Sequence, residues 1–142
     1  MHPDAAHNVE ATARLRALVD GLSAGDLRRS LGGGWTVAMA LGHLAFWDGR
    51  QAAELRWIVA GGALEPEGDS DATNEALGPL LRALVPEECG EIALVAAADV
   101  DAVAADLPDS LVARLLAGEE AYLMRRWAHR EEHIEQVMRA LP

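Results

Sequence analysis

Apolar residues recur along this chain at intervals of three and four, with little strict alternation, and that period belongs to helices. A single phenylalanine and a single tyrosine leave few residues suited to a sheet. The first helix is predicted from about Asp4 to Asp20, with Val9, Ala13, Leu15, Leu18 and Val19 on its apolar side and Gly21 as terminator. Ser23 to Gly34 reads as a short turn and a glycine-rich loop, with Gly32-Gly33-Gly34 as a flexible connector. A second helix starts after the N-cap Thr36, with Trp35 placed as a hydrophobic staple, and runs to Gly61-Gly62, about 25 residues and nearly 40 Å. The polar stretch Glu65 to Asp71 links it to a third helical region interrupted at Gly78-Pro79 and again at Pro86, whose better half is Pro86 to Leu107. After Pro108-Asp109-Ser110 the last helix begins, broken near Gly118, and it ends at Leu141. Four long helices with antiparallel-compatible connections predict an all-α, four-helix bundle in a single domain, residues 1–142.

Charge and composition narrow the setting. A net charge of −11 repels phosphate backbones and anionic lipids, and no locally basic patch offsets it, so neither nucleic acid nor membrane is an expected partner. All twelve cations are arginine, and the absence of lysine excludes Schiff-base chemistry, a pyridoxal-phosphate lysine and the lysine of a phosphate-binding loop. The single cysteine, Cys89, cannot form an internal disulfide, and Met1-His2-Pro3-Asp4 lacks the basic-then-apolar pattern of a secretory signal, so a reducing cytoplasm is expected. The apolar runs fall short of the ~20 residues that span a bilayer.

Candidate chemistry concentrates in the histidines. His129 and His133 stand four apart in Trp127-Ala128-His129-Arg130-Glu131-Glu132-His133, which on a helix stacks both imidazoles on one face, close enough to share an ion. His43, on the second helix, is the natural third ligand. The last helix carries an apolar stripe of Leu123, Trp127, Ile134, Val137 or Met138, and Leu141. A polar stripe of Tyr122, Arg126, His129, His133 and Gln136 lies about 100° round from it, which puts the site at the rim of the core. Three good ligands at a rim suit a metal that keeps an open position. The same spacing also fits a solvated helix face, and a histidine beside Leu41, Leu44 and Phe46 also fits a core residue with one hydrogen bond. His2 and His7 sit in a terminus expected to fray and are given no role.

Two literal motif matches lack residues their chemistry requires. His129-Arg130-Glu131-Glu132-His133 fits the pattern of inverted zinc peptidases, yet the sequence has no room downstream for their acidic third ligand. Asp69-Ser70-Asp71 opens like a calcium loop, but Asn74 stands where glycine is required and Leu80 where the bidentate glutamate belongs.

Trp35-Thr36-Val37, His43-Leu44-Ala45-Phe46-Trp47-Asp48 and His129-x-x-x-His133-Ile134-Glu135-Gln136 together resemble the tryptophan-led helix and C-terminal histidine pair of DinB-like proteins. That group includes the metal-binding domain of mycothiol-dependent maleylpyruvate isomerases. The resemblance implies a four-helix bundle, often a homodimer, with one divalent metal where the second and fourth helices meet. Its ligands here are His43, His129 and His133. The isomerases carry a further C-terminal domain that this chain is too short to hold, and they typically offer a glutamate in place of one histidine, so that specific reaction is not expected. Members of the wider group are similar to thiol-dependent transferases and to hydrolases of reactive metabolites.

The expected chemistry is metal-assisted activation of a thiol or water toward a small molecule, with zinc or nickel as the first candidates and a low-molecular-weight thiol as a possible cosubstrate. Tyr122 and Arg126 are candidate substrate contacts, and Glu132 or Asp48 candidate acceptors for imidazole N–H groups. The bland reading of Arg126 is an exposed ion pair with Glu119, Glu120 or Glu131. The alternative for the whole chain is a non-catalytic homodimeric bundle with a structural or vestigial metal site. Trp47 and Trp57 are expected in the core, or as dimer anchors if they do not fit there.

Overall fold

In the computed structural model, which describes residues 1–64, 68 and 70–142, the described residues are almost wholly helical. Helix α1 (Pro3–Gly21) opens with proline in its first turn, and its cap is His2, whose Nδ1 accepts the Asp4 amide at 3.2 Å. The terminal histidine expected to be idle thus closes a helix end. His7 packs its ring edge-on to Trp127 at 5.7 Å.

Between α1 and the long second helix the structure departs from the predicted loop. Ser23 and Asp26 form a reciprocal capping box that starts a single turn, α2 (Ala24–Leu27). A two-stranded antiparallel ribbon follows, β1 (Ser30–Gly32) and β2 (Trp35–Thr36). Gly33 and Gly34 join the strands with φ of 59° and 81°, left-handed at both central positions as a tight hairpin turn requires. The glycine cluster is a turn with a defined geometry. Trp35 belongs to a strand, and the helix cap lies directly after it.

Helix α3 (Val37–Val59) begins where Thr36 Oγ1 accepts the Met39 amide at 3.2 Å. Removing that cap by Thr36→Ala is expected to cost about 1 kcal/mol of stability, read as a lower urea midpoint at unchanged slope. At the far end Trp57 is 60% exposed and donates its indole N–H to the Ala63 carbonyl at 3.0 Å, so it closes the helix terminus and is not a core residue. Trp47 is buried, as expected. Glu65, Pro66, Glu67 and Asp69 of the predicted linker lie outside the described residues.

Helix α4 (Ser70–Ala83) carries Pro79 inside it without interruption. The residue before a proline normally avoids helical backbone because its Cβ meets the proline ring, and Gly78 has no Cβ. The predicted break therefore does not occur there. It occurs at Val85, which is extended, with Pro86 in the first turn of α5 (Pro86–Ala105). The predicted last helix is three pieces: α6 (Asp109–Ala117), a 3₁₀ segment (Glu119–Leu123) and α7 (Arg126–Ala140). Tyr122 and Leu123 thus precede α7 and do not share its stripes.

Helices α1, α3, α5 and α7 pack in a closed circuit, α3 on α5, α5 on α1, α1 on α7 and α7 on α3, an arrangement compatible with a four-helix bundle. Leu15, Leu41, Leu44, Leu94, Ile134 and Val137 fill one half of the interior. Leu55, Val100, Leu115, Leu123 and Met124 fill the other. Val137 faces inward and Met138 is exposed, which settles that ambiguity of the stripe.

Buried polar groups also join the four helices. Arg130 on α7 is fully buried; its Nε donates to Asp48 of α3 at 3.0 Å, and its Nη1 stands 2.9 Å from Asp101 of α5 and donates to the Asn8 carbonyl and Thr12 hydroxyl of α1. Asn8 in turn accepts the Trp127 amide at 2.8 Å and donates to the Met124 carbonyl at 2.9 Å, fixing the start of α7, which has no side-chain cap of its own.

Candidate metal centre

His43 enters from α3, His129 and His133 from α7, and their rings converge where the two helices meet. The Nε2 atoms of His43 and His129 lie 3.1 Å apart, those of His129 and His133 3.2 Å, and the three donor atoms all fall within 4.8 Å. A tetrahedral ion bound to nitrogens at 2.0–2.1 Å separates its ligand atoms by about 3.3 Å, which the His43–His129 and His129–His133 spacings match, and a small inward turn of His43 or His133 brings in the third pair. Among the described residues this is the only group of three or more potential ligands brought together. The cluster can hold a metal ion.

Its surroundings set the state of the rings. His43 is buried between Trp35 and Trp47, both edge-on at 5.5 and 6.4 Å. Burial, reinforced by the charges of His133 and Arg126, pushes the His43 pKa down to about 4. Burial first, then Arg126, pushes that of His129 down to about 2. Both rings are neutral at pH 7 and offer a lone pair.

A consequence for stability follows by linkage. An unfolded histidine takes up a proton near pH 6.5, whereas these two stay neutral in the fold until far lower pH. Below pH 6.5 the unfolded chain therefore binds more protons, and their contribution is fully present above that value and lost as pH falls toward about 4 and beyond. The metal-free protein should show a denaturation midpoint that drops between pH 7 and pH 5, with a shallower drop in His129→Phe.

The outer nitrogens differ from ring to ring. His133 Nδ1 lies 2.9 Å from Gln136 Oε1, an acceptor that keeps the proton on Nδ1 and leaves Nε2 free to bind. His43 Nδ1 is buried and makes no hydrogen bond of full geometry, although the Asn74 side chain slightly favours its protonation. His129 Nδ1 lies 2.9 Å from Arg126 Nη2, which can only donate.

The remaining predicted residues fall as follows. Arg126 is buried and donates its Nε to Asp48 at 2.9 Å, so its ion pair is internal, not an exposed one with a glutamate of its own segment. Glu131 pairs with Arg14 of α1. Asp48 receives two guanidinium groups and no imidazole, because its position one turn beyond His43 faces Arg126 and Arg130 in the interior. Glu132 is exposed at the edge of the cavity described next, and Gln136 holds the role proposed for it. Tyr122 reaches the same cavity from the 3₁₀ segment.

The rings open into a cavity of about 580 Å³. Its walls include Trp35, Trp47 and Tyr122, with Gln51 and Asn74 further from the rings and the hairpin at Leu31 and Gly32 on one side. Trp47 is held by its indole N–H on Asn74 Oδ1 at 2.9 Å. Sequence reasoning missed Asn74 and Arg130; only the i, i+4 spacing of Arg126 and Arg130 hinted at the latter.

A family model of the DinB superfamily matches residues 7–141. The chain belongs to the DinB superfamily. No match was found among curated proteins or among solved structures. DinB-superfamily membership agrees with the all-α fold and with a histidine cluster able to hold a metal. Among the described residues of this DinB chain, no helix is long and apolar enough to cross a membrane.

Proposed function

We propose that this protein holds one divalent transition metal, zinc or nickel, on His43, His129 and His133 and uses it to activate a thiol or water for attack on a small molecule, as a thiol transferase or a hydrolase. One observation carries the reading: three imidazoles, those of His43 and His129 held neutral by burial, gather with no fourth ligand among the described residues and open directly on a cavity large enough for a small substrate. When bound, such an ion supplies the Lewis acidity that makes a thiol or water nucleophilic near neutral pH.

The chain's own residues supply the rest. Gln136 orients His133, and Asp48 anchors Arg126 behind His129. Trp35 and Trp47 exclude water from the His43 side.

Cobalt(II) substitution tests this reading. Cysteamine added to the cobalt protein should raise a thiolate-to-cobalt charge-transfer band, or, for the water branch, the visible bands should shift with pH across neutrality. Bound cobalt showing neither change would contradict the proposal.

A further inference from the structure

We propose that the metal and an anionic small molecule bind this site cooperatively, because Arg126 must transfer its Nη2 donor from His129 to the ligand. The inference rests on the metal reading above and adds a ligand class, an aromatic or apolar carboxylate, together with the residue that couples the two.

The geometry is a conflict of hydrogen-bond donors. Arg126 Nη2 lies 2.9 Å from His129 Nδ1. A guanidinium has no acceptor, so the lone pair of His129 is on Nδ1 and its proton is on Nε2. Nε2 is the atom that faces His43 and His133 at 3.1 and 3.2 Å. In this arrangement the Nε2 proton occupies the direction an ion needs. Binding through Nε2 requires the proton to move to Nδ1, with no net release from the ring, and an N–H at Nδ1 cannot face a guanidinium.

Arg126 therefore has to withdraw Nη2. Its Nε remains on Asp48 at 2.9 Å, which keeps the group at the cavity wall. A donor freed there, beside an ion and among Trp35, Trp47 and Tyr122, matches a carboxylate on an apolar or aromatic body. Coupling is reciprocal: the anion strengthens the metal and the metal strengthens the anion.

Zinc affinity measured by calorimetry tests this without any assay of activity. Benzoate, but not benzamide, should tighten zinc binding to wild type roughly tenfold, the scale of one charge-assisted hydrogen bond. Arg126→Gln offers an acceptor to Nδ1–H, and Arg126→Lys keeps the charge beside Asp48 but cannot reach both partners. Both variants should bind zinc at least tenfold tighter than wild type and lose the benzoate effect. Tightening in Arg126→Gln alone would reduce the effect to simple charge repulsion and overturn the proposal. Benzoate without effect on wild type would also overturn it. Wild type that takes up no zinc, with both variants equally inert, defeats the metal reading itself, and that result is distinct from one equivalent bound with no difference between variants.

Discussion

Replacing Asp48 with alanine is expected to destabilise the protein by about 3–5 kcal/mol, the cost of breaking a buried ion pair from one side. Asp48 is fully buried and accepts Arg126 Nε at 2.9 Å and Arg130 Nε at 3.0 Å. Without it, Arg126 loses its only carboxylate among the ion pairs of the described residues, and Arg130 keeps Asp101 alone. A domain stable by about 5–15 kcal/mol loses a large fraction of its margin that way. Thermal and urea unfolding of the metal-free protein measure it. A cost below about 1 kcal/mol would mean that the polar layer joining α1, α3, α5 and α7 contributes little.

Single replacement of His43, His129 or His133 by alanine is expected to weaken metal binding by more than the roughly 10–100-fold typical of losing an outer-shell partner. The fold should persist. His129 and His133 are half-buried at a cavity wall, and the two hydrophobic clusters and the Asp48–Arg130–Asp101 layer do not depend on them. Loss of folding together with the metal would instead mark a structural ion. Circular dichroism and zinc calorimetry on the three variants separate the two outcomes.

The parts of the fold that were legible in the sequence are those with local causes. Thr36 before a long apolar run predicts the start of α3, and Pro86 predicts the start of α5, because cap and proline chemistry act within one turn. The hairpin leaves no mark in the sequence pattern, because strands of three and two residues carry no measurable alternation. Taken separately, Gly78 and Pro79 each predict a break, whereas together the Cβ-free glycine relieves the proline's clash with the residue before it.

The histidine cluster was legible for a similar reason: i, i+4 spacing is a local geometric fact, and the third histidine, His43, lies in a motif of its own. Arg126 was not legible in its real role. On the polar stripe it reads as a solvated side chain, and its partner Asp48 lies 78 residues earlier, on a different helix. Long-range pairing of charged residues leaves no periodic trace, so a buried arginine layer looks like an exposed one until the helices are assembled.

The metal content of untagged wild-type protein, set beside that of His43→Ala and His133→Ala, tests the central claim most directly. About one equivalent of a transition metal in wild type, lost in both folded variants, is the predicted result for a tetrahedral site with three protein ligands. A wild-type protein that stays metal-free after incubation with zinc and nickel would contradict it.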